Sequence, residues 1–143
     1  MQRSQPPTEV TTLLDRYLLG LDDDKLDDAW ARSLFTDDAA VEFPMSRHRG
    51  MAGLAEYHRS ALAAFDRTQH LGSPAVVDLL DADRATLRAN VISTHVKPDA
   101  QLFTAGTLVR GEARRTPDGW RLAALSFALV WTTGDPPRPG APR

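Results

Sequence analysis

The sequence predicts an α+β fold in which three N-terminal helices pack on a strongly curved antiparallel sheet. The first half of the chain, up to about residue 65, carries apolar residues at helical spacing and includes one short alternating segment. The second half consists of four long segments with strand-like alternation, separated by tight-turn residues at 81–83, 97–99 and 117–119. Helices at one end of a bent sheet would form a cone with one open, mostly apolar pocket.

The first predicted helix begins at Thr8, which is suited to be its N-cap, and ends near Gly20. Its apolar stripe consists of Val10, Leu13, Leu14, Tyr17, Leu18 and Leu21. Three consecutive acids, 22–24, follow, and one of them is expected to cap the second helix. The residues expected on the buried face of that helix are Leu26, Ala29, Trp30, Ser33 and Leu34. A third helix, roughly 51–65, is expected to bury Leu54, Ala61, Leu62 and Phe65.

The predicted strands are one short segment and four long ones. A turn at 36–38 precedes the short strand, which spans 39–43, and a loop at 44–50 follows it. The long strands form three consecutive hairpins, an antiparallel meander, and span 68–80, 84–97, 101–115 and 119–133. The last of them is apolar on both faces, which favours helices on one side and a second subunit on the other.

Composition limits the classes of function. The chain has 143 residues, 42% hydrophobic and 25% charged, so we expect one domain over 8–133, with flexible tails at 1–7 and 134–143. The formal net charge of -2 and the lack of a basic run argue against a nucleic-acid partner. No apolar run approaches the ~20 residues that cross a membrane. The sequence has no cysteine, which excludes a disulfide scaffold, a thiolate nucleophile and cysteine-ligated zinc, and favours a cytoplasmic protein.

Two histidines indicate a proton-transfer site. His70 lies at the start of the first long strand, and His95 lies near the end of the next one. A turn centred near residue 82 would place them almost opposite each other on neighbouring antiparallel strands. His95 shares the inward row of its strand with Ala85, Leu87, Ala89, Val91 and Ser93. Two imidazoles on one wall of a pocket favour general acid–base catalysis.

The other candidate residues each have two interpretations. Asp22 can cap the second helix or orient a histidine, and one carboxylate can do both through its two oxygens. Tyr17 can line the core or donate a hydrogen bond into the pocket. His48, between two arginines in a loop, and His58, at the margin of a helix face, are expected to stay outside the site.

Several motifs make the chain resemble the NTF2-like superfamily and, within it, the SnoaL-like group that includes scytalone dehydratase and bile-acid 7α-dehydratase. The resemblance covers about 8–133 and follows the order helix, helix, strand, helix, meander. The motifs that carry it are Leu21-Asp22, Trp30 and the segments 34–39, 68–74 and 118–122. It implies an NTF2-like cone.

The resemblance also implies a site. In dehydratase-type members a tyrosine and an aspartate near the end of the first helix meet a histidine at the start of the long sheet, and those positions look like Tyr17, Asp22 and His70. A second histidine of scytalone dehydratase looks like His95. Two histidines and a carboxylate could hold a metal, but the similar enzymes work without one, so we expect no metal and no cofactor. The residues expected to bind the substrate are Trp30, Val91, Ser93 and Phe127.

The expected function is a dehydratase that eliminates water from a small cyclic or polyketide-like apolar substrate, or an isomerase or cyclase. His70, held by Asp22, would remove a proton next to a carbonyl, and Tyr17 would bind the enolate oxygen. His70 or His95 would then protonate the departing hydroxyl. The alternative is a non-catalytic ligand-binding or assembly module with the same pocket, because this superfamily hosts both. A homodimer or homotrimer through the sheet is expected in either case.

Overall fold

The computed structural model describes residues 6–23 and 25–137. Its helices are α1 (Thr8–Thr11), α2 (Leu13–Leu21), α3 (Asp28–Leu34) and α4 (Leu54–Leu62). Its strands are β1 (Phe35–Phe43), β2 (Ser46–Arg49), β3 (Arg67–Gly72), β4 (Val76–Leu79), β5 (Arg84–Val96), β6 (Leu102–Thr116) and β7 (Gly119–Thr133). Among these residues no helix has both the length and the apolar character that a membrane span requires.

The strands form one sheet in the order β2-β1-β7-β6-β5-β3, and β4 also pairs with β5. The predicted fold class is confirmed, since a few helices pack on a curved sheet in an α+β arrangement. The sheet is mixed rather than purely antiparallel, because β1 runs parallel to β7, with Val41 opposite Leu125. Parallel neighbours need a long connection, so this pairing joins segments far apart in the chain and leaves no local signal in the sequence.

Two segments expected to be turn or loop belong to strands. Residues 36–38, expected to form a turn, lie within β1, and the Arg114 guanidinium pairs with Asp38 at 2.8 Å. Arg114 lies on β6, which β7 separates from β1, and its charge offsets that of the acid on the strand surface. Residues 44–50, expected to form a loop, contain β2, which makes an antiparallel hairpin with β1.

The first long strand is interrupted, unlike the prediction. It ends at Gly72 as β3 and resumes at Val76 as β4, and both pieces pair with β5. Pro74 lies between them and has no N–H to give to the ladder. The Ser73 hydroxyl accepts the Asn90 N–H instead, at 2.9 Å, so the backbone of β5 stays paired across the break.

The N-terminal helices bury the stripe that their spacing predicts. All six residues of the stripe are at most 7% exposed. The helix is divided at Thr12, although the Thr12 N–H still bonds the Thr8 carbonyl and the Thr12 carbonyl still accepts the Arg16 N–H. The apolar spacing therefore identified the buried face of both pieces.

The second and third predicted helices differ from expectation in phase and length. α3 starts at Asp28 and buries Ala31, while Ala29 and Ser33 are exposed. Its N-cap is Asp27, which accepts the Trp30 N–H at 2.8 Å, and not one of the acids 22–24. α4 leaves Ala61 exposed and ends before Phe65. Among the expected cap residues and tails, Asp24 and the segments 1–5 and 138–143 lie outside the described residues.

The inward row of β5 forms the wall of the candidate site. Residues 85, 87, 89, 91, 93 and 95 are buried in strict alternation, as predicted. In the register of β3 on β5, Thr68 is the partner of His95, and His70 is the partner of Ser93. Cross-strand partners project to the same side of a sheet, so these four side chains form one polar block at the inner face.

Candidate active site

Asp22 and His70 form a hydrogen-bonded pair at the junction of α2 and β3. Asp22 is the C-cap residue of α2, and its Oδ1 lies 2.7 Å from His70 Nδ1. A carboxylate only accepts hydrogen bonds, so the imidazole carries its proton on Nδ1 and has its lone pair on Nε2. The His70 side chain is 5% exposed and the Asp22 side chain 21%. The geometry therefore presents a buried, oriented imidazole with one basic nitrogen.

Asp22 accepts two further hydrogen bonds from the same strand. Its Oδ2 accepts the His70 backbone N–H at 2.8 Å, and its Oδ1 also accepts the Thr68 hydroxyl at 2.9 Å. Asp27 caps α3, so that helix does not need the Asp22 carboxylate as its cap. The Asp22 carboxylate bonds to β3 instead. We call Asp22, Thr68, His70, Ser93 and His95 the histidine cluster.

His95 was expected almost opposite His70. The structure places it beside His70 on the neighbouring strand. The register makes the two diagonal neighbours, with ring centroids 6.0 Å apart and planes at 84°. His95 Nδ1 donates to the Phe103 carbonyl at 2.9 Å, which leaves the lone pair on Nε2. Its ring packs against Phe65 at 4.4 Å and Phe103 at 5.4 Å between centroids. Burial lowers the pKa of His95, so this imidazole is a neutral acceptor at pH 7.

Tyr17 belongs to a second group of side chains. Its hydroxyl lies 2.9 Å from His58 Nε2, and His58 Nδ1 lies 2.8 Å from the Leu54 carbonyl. Since the carbonyl can only accept, His58 is protonated on Nδ1, and Tyr17 is the donor to Nε2. Both side chains are fully buried. The hydroxyl would reach a substrate only by giving up this bond.

The pKa values of this pair follow from burial. Desolvation lowers the pKa of His58 from 6.5 to about 4, because the charged imidazolium loses its water shell. The same burial raises the pKa of Tyr17 well above its ordinary value. Both groups are therefore neutral across the physiological range, and the bond between them joins a neutral donor to a neutral acceptor.

Aromatic rings surround Tyr17 and fill this part of the interior. Its ring contacts Trp30 at 5.9 Å and Phe127 at 6.2 Å between centroids. The Trp30 Nε1 is buried without a hydrogen-bond partner among the described residues. The members of this aromatic cluster are Tyr17, Trp30, Phe35, Phe43, His58 and Phe127. Of the residues expected to bind substrate, Trp30 and Phe127 belong to it, Ser93 belongs to the histidine cluster, and Val91 precedes Ser93 in the inward row of β5.

Two polar residues of these clusters, His58 and Thr68, were not selected from the sequence. His58 follows Leu54 and precedes Leu62 at intervals of four, a spacing that places it on the apolar face of α4. Thr68 precedes His70 by two, which places both on one side of a strand. His48 stays outside: its Nε2 donates to the carbonyls of Gly50 and Ala52.

A cavity of about 460 Å³ adjoins the histidine cluster, and Asp22 and Thr68 lie in its wall. The remaining wall residues are Leu21, Asp23, Leu26, Arg59, Leu62, Ala63, Phe65, Asp66 and Arg67. A larger groove of about 1010 Å³ lies against β2 and is lined by residues that alternate outward from the sheet, such as Arg88, Arg110 and Glu112. The smaller cavity contacts Asp22 of the Asp22–His70 dyad, while His70, Ser93 and His95 are not among the residues that line it. In the described part of the chain, no group of three histidine or acidic side chains is arranged to hold a metal ion.

Comparison with known proteins gives a family and a set of similar structures. A family model described as a SnoaL-like domain matches residues 2–126, which confirms the resemblance to the SnoaL-like group. No curated protein matches the chain significantly.

Three solved structures illustrate the similarity. The Kfla4162 protein of Kribbella flavida is 26% identical, with a TM-score of 0.80, over 88% of this chain and 91% of that one. A candidate scytalone dehydratase of Novosphingobium aromaticivorans is 17% identical, with a TM-score of 0.80, over 92% and 88%. A hexachlorocyclohexane dehydrochlorinase of LinA type 3 from Novosphingobium barchaimii is 18% identical, with a TM-score of 0.77, over 94% and 90%. At these identities the last two show a shared fold.

Proposed function

Since the chain belongs to the SnoaL-like domain family, we propose that it is a cofactor-independent acid–base enzyme that eliminates water from a small β-hydroxy carbonyl compound. The substrate is cyclic or polyketide-like and largely apolar, a proposal supported by Leu26, Leu62 and Phe65 in the wall of the smaller cavity. The names of two similar structures, a dehydratase and a dehydrochlorinase, both denote eliminations, which supports this reaction class.

The observation that carries the proposal is the 2.7 Å bond between His70 Nδ1 and Asp22 Oδ1. It holds the lone pair of His70 on Nε2, where the imidazole can accept a proton from the carbon next to the carbonyl. Asp22 then stabilises the imidazolium that forms, as a buried carboxylate does for a catalytic histidine. General-base assistance of this kind contributes about 10²–10⁴-fold to the rate.

The elimination is completed by the same imidazole. The C–H bond electrons move into the enolate, and the proton moves to His70 Nε2. The carbon–oxygen bond to the β-hydroxyl then breaks as the carbon–carbon double bond forms, and His70 returns the proton to the departing oxygen as water. Burial lowers the pKa of His95, so His95 is not the acid; its Nε2 accepts a hydrogen bond from the substrate hydroxyl and orients it.

The enolate oxygen needs a donor, and the structure favours Ser93 over Tyr17 for this task. Ser93 is the cross-strand partner of His70 on the inward face, and its hydroxyl can donate to the substrate oxygen. The Tyr17 hydroxyl already donates to His58. Trp30, Val91 and Phe127 do not line the cavity and pack in or against the hydrophobic core.

The experiment compares variants on a panel of cyclic β-hydroxy ketones, including a β-hydroxy tetralone that becomes a fluorescent naphthol on losing water. We expect wild type to accelerate water loss from at least one member. His70→Gln should lower kcat by about 100-fold or more, and Asp22→Asn should lower it as well. Asp15→Asn changes an exposed acid on the same helix, α2, that does not line the cavity, and is the matched control, expected to retain the wild-type rate.

The outcomes separate the enzyme from its alternatives. Equal rates for wild type and His70→Gln would contradict the proposal. Exchange of the α-proton with solvent deuterium without water loss would assign the same base to an isomerase or cyclase. Tight binding of a panel compound with neither exchange nor elimination would favour the ligand-binding module.

We also propose that a second copy of the chain covers the outer face of the sheet. Leu71, Ile92 and Trp131 lie in one cross-strand row on that face and are 68%, 42% and 44% exposed, which makes a contiguous apolar patch. Trp131→Glu should convert the oligomer to a monomer in light scattering. Met45→Glu, at an exposed turn away from the row, is the control. A monomeric wild type at micromolar concentration would contradict this interface.

A further inference from the structure

Thr68 stands between the two histidines of the site and contacts the carboxylate that orients one of them. It is the cross-strand partner of His95 and lies two residues before His70. Its hydroxyl donates to Asp22 Oδ1 at 2.9 Å. We propose that Thr68 is a positioning residue that holds the Asp22 carboxylate in the orientation His70 requires; this inference rests on the proposed function of the dyad.

The three donors to Asp22 divide between its two oxygens. Oδ2 accepts the His70 backbone N–H at 2.8 Å, and this bond sets the position of one oxygen. Oδ1 accepts both the Thr68 hydroxyl and the His70 Nδ1–H, at 2.9 and 2.7 Å. The Thr68 bond therefore holds the second oxygen and prevents the carboxylate from turning about its Cβ–Cγ bond. A turned carboxylate would lose its short contact with the imidazole.

All three of these contacts join the end of α2 to β3. Asp22 follows the last turn of α2 and has its backbone N–H bonded to the Leu19 carbonyl. The Asp22 side chain extends from the end of α2 to β3 and makes these contacts. Because the strand supplies every one of the three donors, the carboxylate keeps its place when the imidazole moves or becomes charged.

A threonine suits this position better than another hydroxyl residue. Its β-branched side chain has restricted χ1 freedom on a strand, so its hydroxyl has few orientations and is held towards Asp22. By donating to Oδ1, the hydroxyl takes up part of the carboxylate's negative charge. The proton shared between Asp22 and His70 therefore stays on Nδ1, and Nε2 remains free to act as the base.

The test uses three substitutions at one position. Thr68→Val removes the hydroxyl and nearly keeps the shape, Thr68→Ser keeps the hydroxyl, and Thr68→Ala serves if the valine variant does not fold. The direct readout is NMR of ¹⁵N-histidine-labelled protein, which reports the His70 Nδ1–H resonance and the tautomer of the ring without any substrate. The second readout is kcat and KM on the elimination substrate.

Wild type and Thr68→Ser should show a downfield His70 Nδ1–H resonance and a single tautomer. Thr68→Val should show that resonance exchanging with water and a mixture of tautomers. Its kcat should fall about tenfold, equivalent to one hydrogen bond, with KM nearly unchanged. Substantial recovery in Thr68→Ser would show that the hydroxyl, and not the shape of the side chain, is responsible.

The two ways of failing are distinguishable. An unchanged Nδ1–H resonance and unchanged kcat in Thr68→Val would overturn the role of Thr68 and leave the dyad intact. A wild-type His70 protonated on Nε2, with no Nδ1–H resonance, would overturn the dyad itself and with it the proposed function.

Discussion

At the scale of single residues, His58 and Tyr17 show how a buried polar pair is kept. The Tyr17 hydroxyl donates to His58 Nε2, and His58 Nδ1 donates to the Leu54 carbonyl one turn earlier on α4. A buried polar group without a partner costs free energy. The pair therefore stabilises the fold as a unit, and removing one member leaves the other unsatisfied.

Tyr17→Phe tests this pair. The substitution removes the donor to His58 Nε2, so we expect the free energy of unfolding to fall by about 1–3 kcal/mol in urea denaturation. Tyr57→Phe is the matched control, because the Tyr57 hydroxyl bonds the exposed Ser46 hydroxyl at 2.7 Å and should cost clearly less. Equal losses in the two variants would contradict the account of the buried pair.

The lowered pKa of His58 also predicts how the free energy of unfolding depends on pH. Its pKa is about 4 in the folded protein and 6.5 as the ordinary value, so the unfolded chain binds the proton more readily. The contribution of His58 to the free energy of unfolding is fully present above about pH 6.5. It declines as the pH falls towards 4, by roughly 3 kcal/mol in all. His95, whose pKa is lowered by burial, acts in the same direction.

The measurement is urea unfolding of wild type and His58→Gln at several pH values between 7 and 4, a window set by the two pKa values above. The variant should be less stable at pH 7 but should lose less stability on acidification. Parallel curves for the two proteins would show that His58 is not the group responsible.

At the scale of elements, the contact between α2 and α3 depends on a glycine inside a helix. Gly20 was expected to act as a stop signal, and α2 ends one residue later, at Leu21. A Cβ at residue 20 would overlap the Trp30 indole nitrogen. The glycine is therefore required by the close approach of Trp30, and its flexibility as a helix stop is secondary.

Gly20→Ala measures this contact. Alanine gains about 1 kcal/mol over glycine in a helix, but overpacking against a rigid indole costs typically 1–3 kcal/mol, so we expect a net loss of stability. In a Trp30→Phe background the overlap is relieved, and the same substitution should be neutral or stabilising. A stabilising Gly20→Ala in the wild-type background would contradict the packing account.

The elements also show what sequence patterns can and cannot predict. The stripe of α2 and the alternating row of β5 follow from local periodicity, and both are buried as predicted. The parallel pairing of β1 with β7 joins two distant segments, so local patterns do not predict it. The cap of α3 is Asp27, one of five acids between residues 22 and 28, and the sequence alone did not identify which of them it is. The same limit applies to the site, since the His70–Asp22 bond depends on where α2 ends relative to β3.

At the scale of the whole molecule, two clusters of side chains occupy different parts of the cone. The aromatic cluster fills the interior around Tyr17, and the histidine cluster places a polar block where β3, β5 and the end of α2 meet. The SnoaL-like family membership accounts for the arrangement of helices and sheet. The chemistry that we propose depends on the orientation of a few side chains within that arrangement.

The most direct test of the account is solvent exchange at carbon, because it isolates the imidazole base from the leaving group. Cyclic ketones that lack a β-hydroxyl, such as tetralone, are incubated in deuterium oxide and followed by proton NMR. We predict that wild type accelerates exchange of the α-proton and that His70→Gln and Asp22→Asn abolish the acceleration, while the control Asp15→Asn retains it. Enzyme-accelerated exchange that persists unchanged in His70→Gln would contradict the central claim that His70, oriented by Asp22, is the base.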